Sequence, residues 1–242
     1  MRTRLVALGC SFAGALGLLA LSPAAGAASL PKPGMSVSTS AGSYAYGTKV
    51  RVTVTLNAKE PDSTVVLNAF PAAGKKTVVG SGKVDSGGKF YATYTVTSTT
   101  NFVASFNGND ENAGTSASRK VTVGARVADG LTGYYKTTTI SGVTYRVYHS
   151  SGTLTLKATV TPNKHGECLE PETEQYDSGS GWDADTKYGC DKLDSMSHDT
   201  APFQVAQAVG DRYRIRADYI RSAKDTANLS ADGAWLYLEV VK

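Results

Sequence analysis

Val50, Val52, Val54 and Leu56 alternate with Lys49, Arg51, Thr53 and Thr55. A two-residue period turns every apolar side chain to one face of a β-strand. Phe90, Ala92, Tyr94 and Val96 repeat the pattern, as do Phe102, Ala104 and Phe106. It returns at Leu154, Leu156, Ala158 and Val160, at Tyr213, Ile215, Ala217 and Tyr219, and at Leu236, Leu238 and Val240. Between Val84 and Phe90, the run DSGGK from Asp85 to Lys89 carries the glycines that a tight hairpin needs. The first half shows no apolar stripe at helical spacing, and Pro202 to Val209 is the place where a short helical turn fits. Short alternating strands punctuated by turn signals predict an all-β chain folded as sandwich or barrel.

The N-terminal residues follow a different rule. Arg2 and Arg4 precede the uncharged run Leu5 to Leu21, and Ala25-Gly26-Ala27 supplies small residues for cleavage. This is the order of a signal peptide, 1–27, removed after Ala27. Export then leaves 28–33 as a linker, and a junction near Gly124 separates 34–124 from 125–242, units of 91 and 118 residues. Each is large enough for its own core. The expected location is extracellular, with no membrane segment after cleavage.

Two cysteines remain in the exported chain, Cys168 and Cys190. In an oxidising compartment an even count predicts one disulfide, and closing that interval is worth roughly 3 kcal/mol in the chain-entropy model. Charge is balanced overall and sorted locally. Residues 34–124 hold nine Lys/Arg and five Asp/Glu, residues 125–242 hold 13 and 16. Neither half has the basic excess that makes nucleic acid the default partner.

The stretches YGTKVRVTVTL (46–56), STVVLNAF (63–70), GSGKVDSGGKFYATYT (80–95) and FVASFNGND (102–110) resemble successive strands of bacterial immunoglobulin-like repeat domains. YRVYH, TPNKHGEC and YRIRADYIRSAKDTANLSADGAW resemble the C-terminal unit of secreted actinomycete-type proteins built from such repeats. The resemblance implies two tandem immunoglobulin-like β-sandwich domains after a signal peptide. It implies spacer, adhesive or accessory roles, with no catalytic residues to carry over. In such a sandwich the third and sixth strands are neighbours. Arg212, Arg214 and Arg216 would then lie beside Glu170, Glu172 and Glu174 as a charge ladder on the solvated face, pinning strand register. A grip for a polyanion or glycan is the alternative. Tyr213, two residues after Asp211, sits where a tyrosine corner is expected, and Pro171 predicts an irregular or edge strand.

Other constellations point to binding more than to reaction. Trp182 lies in the acidic loop Tyr176 to Cys190, where its ring either folds over the disulfide or offers a ligand platform, together with Tyr134, Tyr135 and Tyr188. Cys168, Cys190, His165 and His198 can be drawn around zinc only if the thiols are reduced. Asp177, Asp183 and Asp185 are weak calcium candidates: Tyr188 stands where a calcium loop of EF-hand type needs glycine. No nucleophile elbow or phosphate-cradling glycine loop occurs. The expectation is no enzyme and no cofactor: a structural or spacer protein of the cell envelope, or a module recognising cell-wall polysaccharide or a surface protein.

Overall fold

The computed structural model describes residues 29–58, 63–204 and 209–242. Residues 1–27, expected to be a signal peptide, lie outside them. Among the described residues all elements are strands. The first eight are β1 (Met35–Thr39), β2 (Ser43–Ala45), β3 (Thr48–Leu56), β4 (Thr64–Pro71), β5 (Thr77–Lys83), β6 (Lys89–Val96), β7 (Thr100–Gly108) and β8 (Ala113–Gly124). They form a sheet ordered β1-β3-β6 packed on a sheet ordered β2-β8-β7-β4-β5. The period-two residues of β3 and β7 meet between them with Val65, Leu67, Val121 and Val123, all buried. The segment before β1 lies against this sandwich, since the Ala113 N–H donates to Pro31 O.

The glycines of 85–89 make a corner where a hairpin was expected. β5 pairs with β4 and β6 with β3, so the turn carries the chain from one sheet to the other. Asp85 Oδ1 accepts the N–H groups of Gly87 and Lys89, and Gly88 takes φ +69° with its carbonyl bonded to Leu56 N. A Cβ there would stand 2.4 Å from Leu56 O, which excludes any other residue.

The second set comprises β9 (Arg126–Thr132), β10 (Lys136–Ile140), β11 (Val143–His149), β12 (Thr153–Thr161), β13 (Cys168–Asp177), β14 (Gly181–Lys187), β15 (Asp191–Lys192), β16 (His198–Gln204), β17 (Arg212–Ile220), β18 (Ala231–Asp232) and β19 (Leu236–Val241). Its sheets run β16-β12-β9 and β10-β11-β19-β17-β13-β14, enclosing a second core of Leu156, Leu169, Ile215, Tyr219 and Val240. Strand for strand this repeats the first set: β1-β3-β6 corresponds to β9-β12-β16, and β2 pairs parallel with β8 as β11 does with β19. Both are immunoglobulin-like sandwiches.

One proline expectation changes here, and the other, an irregular strand at Pro171, takes a definite form. Pro202 belongs to edge strand β16, where its missing donor is harmless, so that residues 202–204 are strand; 205–208 lie outside the described residues. Pro171 sits in a strand paired on both sides, at the place where the neighbour of β13 changes from β15 to β14; its carbonyl still accepts the Tyr188 N–H.

Ala125 alone separates β8 from β9. The loop after β17 folds back across this junction: Thr99 N–H donates to Ala227 O, Leu229 N–H to Val123 O and Ala125 N–H to Leu229 O, at 2.7, 2.8 and 3.0 Å. The two sandwiches are therefore joined by backbone hydrogen bonds as well as by the chain.

Candidate functional site

β13 and β17 are antiparallel neighbours, registered Glu172 on Arg216 and Glu174 on Arg214. Arg216 donates through Nε and Nη2 to Glu172 Oε2 at 3.0 and 2.7 Å, and Arg214 donates in the same way to Glu174 Oε2. The ladder has two such rungs. The same register sets Glu170 against Asp218, and Glu170 pairs with Lys187 at 3.8 Å. Arg212 lies 4.1 Å over the Tyr176 ring and is cross-strand from Glu239.

This face is covered where a solvated one was expected. Side-chain exposure is 20% and 16% for the Arg214–Glu174 pair and 21% and 5% for Arg216–Glu172. The cover is aromatic. Arg214 lies between Trp182 and Trp235, 4.8 and 4.4 Å from their centroids, and Arg216 lies 4.4 Å over Trp235. Trp182 also meets Tyr176 and Tyr237 at 5.3 and 5.5 Å. Cation–π contacts of this kind strengthen as the guanidinium loses water.

Trp182 thus lies in strand β14, half-buried, with its ring against Arg214, Tyr176 and Tyr237. Residues 176–190 are largely the hairpin β13–β14. Asp177 Oδ1 accepts the N–H groups of Gly179 and Ser180, and Gly181 takes φ +88°, which closes the turn and aligns Trp182 with Tyr176. Asp177 Oδ1 is thereby committed to the turn. Asp183 faces Gln175 across the hairpin, and the Asp185 side chain lies outside the described residues. Cys168 and Cys190 form the disulfide, which removes the thiolates zinc would require.

Beside the ladder Asp218 is buried next to Glu172, with Asp232 exposed at the rim. Arg216 Nε reaches Asp218 Oδ2 at 3.1 Å, and Asp232 stands 3.7 Å from Nη1. Burial holds Asp218 well above the ordinary carboxylate range; a hydrogen bond shared with Glu172 adds to this and Arg216 opposes it.

Tyr134 and Tyr135 are exposed but engaged. Tyr134 meets Tyr148 edge-on at 6.3 Å, and Tyr135 stacks on His149 at 4.4 Å. Tyr188 meets Phe203 at 5.0 Å and its hydroxyl is 3.2 Å from Thr173 Oγ1. It borders a cavity of about 450 Å³ between the two sheets, lined also by Leu154, Phe203, Tyr213 and Leu238. Tyr213 donates its hydroxyl to Asp211 Oδ2 at 3.0 Å; burial first, then that bond, pushes it up to about 12.

At the opposite end of β12 lies a cluster that no periodic pattern announces. Lys164 Nζ donates to Asp225 Oδ2 at 2.6 Å and to Asn228 Oδ1 at 2.9 Å. Asn228, fully buried, donates through Nδ2 to Thr97 O and Val123 O of the first sandwich at 3.1 and 3.4 Å. Tyr219 donates its hydroxyl to Asp225 Oδ2 at 2.6 Å. Burial works to raise Asp225, but the bonds from Lys164, Tyr219 and the N–H groups of Ala227 and Asn228 outweigh it and hold the carboxyl below its ordinary range. Tyr219 alternates with the other core residues of β17, but its polar partners follow in an unpatterned loop.

No protein-family model matches the chain, and no curated protein matches it. Among solved structures it is similar to the tetra-tandem repeat in the extending region of a large adhesion protein, with 14% identity and TM-score 0.36, over 84% of this chain and 49% of that one. It is also similar to the D0-D1 domain of intimin, with 10% identity and TM-score 0.30, over 85% and 97%. The chain spans about half the length of the first of these.

Proposed function

We propose that this chain is a secreted, non-catalytic structural protein that acts outside the cell, at the envelope, as a short rigid spacer. One observation carries the reading: the loop after β17 bonds both sandwiches across a one-residue connection, with Asn228 buried between them. Domains joined only by a linker move relative to one another by default; a buried polar anchor with satisfied partners opposes that motion. The outer face of the second sandwich supports it, because guanidinium groups already occupy its tryptophan rings. The test is a distance distribution between spin labels, one on each sandwich, in residues 28–242 with the disulfide intact. A single narrow distance is expected, broadened by Asn228→Ala; a broad distribution in the unaltered protein ends the spacer reading.

A recognition role has one observation in its favour, exposed Tyr188 at the rim of the cavity away from the junction. Saturable binding to cell envelopes or insoluble polysaccharide that Tyr188→Ala weakens and Trp182→Ala leaves intact would establish it.

A further inference from the structure

Lys164, Asp225 and Asn228 place an amine, a carboxylate and a primary amide in one buried site. Each is pinned from both sides. Lys164 N–H donates to Ser197 Oγ at 2.7 Å and its carbonyl accepts Glu167 N–H, while Asn228 N–H donates to Asp225 Oδ1 and its neighbours bond to the first sandwich. The amide is oriented without ambiguity: Nδ2 faces two carbonyls, and Oδ1 faces Nζ. A carbonyl bond is only about 1.23 Å long, so a 2.9 Å contact on Oδ1 also brings Nζ close to Cγ. The buried Tyr219 ring lies 5.8 Å from Nζ and helps shut out water. Amine and amide are unreactive in water because the amine is protonated, solvated and diluted. Here it is held against its electrophile beside a proton acceptor, the conditions under which proximity accelerates a reaction most.

We propose that Lys164 and Asn228 join in an intramolecular amide cross-link, with Asp225 moving the protons. Lys164 passes one proton to Asp225 Oδ2 along the bond between them. The freed electron pair of Nζ forms a bond to Asn228 Cγ, and the carbonyl π pair moves to Oδ1. Collapse of that centre breaks the Cγ–Nδ2 bond. Nδ2 departs with its electron pair, receives the proton that Asp225 held and a second one released by Nζ, and leaves as ammonium. Asp225 ends as a carboxylate and the product is a secondary amide, so no oxidant, reductant or cofactor enters. Val123 O keeps the Leu229 N–H as donor after Nδ2 has gone. The bond would tie the loop after β12 to the loop that clasps the first sandwich, 64 residues apart in sequence. The inference goes beyond the spacer reading: the linked peptide reports on the cross-link alone, and the backbone bonds of Ala227 and Leu229 to the first sandwich remain after Nδ2 has gone.

The experiment is the intact mass of the full chain, purified after export and reduced, followed by tryptic mapping. The expected mass is one ammonia below that of the sequence, with Lys164 no longer cleaved and the peptide Ala158–Lys187 attached to Asp225–Lys242. Loss of ammonia without that linked peptide means a cyclised asparagine and overturns the proposal, as does the unmodified mass. Lys164→Arg, which retains the cation but lacks the attacking amine, is expected to restore the full mass. A linked peptide that persists in Asp225→Asn would remove Asp225 from the mechanism.

Discussion

The first sandwich turns Lys49 and Arg51 of β3 to solvent, and its buried polar residues are the neutral Ser63, Ser98 and Thr100. The second, with the same strand order, buries Lys164, Glu172 and Asp218. A charge taken out of water is costly unless a partner is held against it, so the second sandwich depends on side chains meeting in one register, whereas the first depends on apolar area. The same strand plan is thus stabilised in two ways. The charged version also tolerates less change, because each buried ion has named partners.

Breaking that contrast begins at the junction. Lys164→Met removes every contact of Nζ with the buried Asp225 and Asn228 and is expected to destabilise the second sandwich by about 3–5 kcal/mol. Both tryptophans, Trp182 and Trp235, lie in that sandwich, so their fluorescence during denaturant unfolding reads it alone. Leu67→Ala, a deletion of similar cost in the first core, should leave the tryptophan transition nearly in place; equal shifts from both variants would show the sandwiches unfolding as one unit.

Replacing Cys168 and Cys190 together by serine should cost the second sandwich roughly 3 kcal/mol, again followed through tryptophan. Acid sharpens the contrast next. Because Asp218 is raised in the folded state, its contribution is fully present below the ordinary aspartate range and is lost as pH rises through the folded value. Burial raises Asp129 and Asp199 in the same direction. Asp225, which is lowered, contributes above its ordinary value and loses that contribution as pH falls further. The second sandwich should therefore gain stability, on the order of 1 kcal/mol per pH unit at most, on acidification from mildly alkaline to mildly acidic, and lose it again in strong acid. Thermal melts across that range check it, and Asp218→Asn should flatten the rise. The smallest effect is the Arg214–Glu174 rung, for which a double-mutant cycle is expected to give about 1 kcal/mol; a value near zero would return the ladder to the status of an exposed pair.

Strand positions and their buried faces were legible because alternation is local: Val50 to Leu56 need no knowledge of β6 to declare which side is apolar. The Arg and Glu series could be read as facing rows for the same reason. Which Glu met which Arg could not, since a shift of one pair along β13 leaves the alternation intact and only the packed sheet selects the register. Trp182 and Trp235 were visible as residues but not as the cover of the ladder, because they come from β14 and from the segment before β19 and converge only when the sheet forms. The loop residues Asp225 and Asn228 carried no signal, since their partners are a lysine at the end of another strand and carbonyls of another sandwich. The sequence by itself determined what is local: strand, turn chemistry, cysteine pairing and the sorting of charge. Tertiary structure decided the register, the burial of the charges and the clasp between domains, because each depends on groups distant in the chain that become neighbours only after both cores have closed.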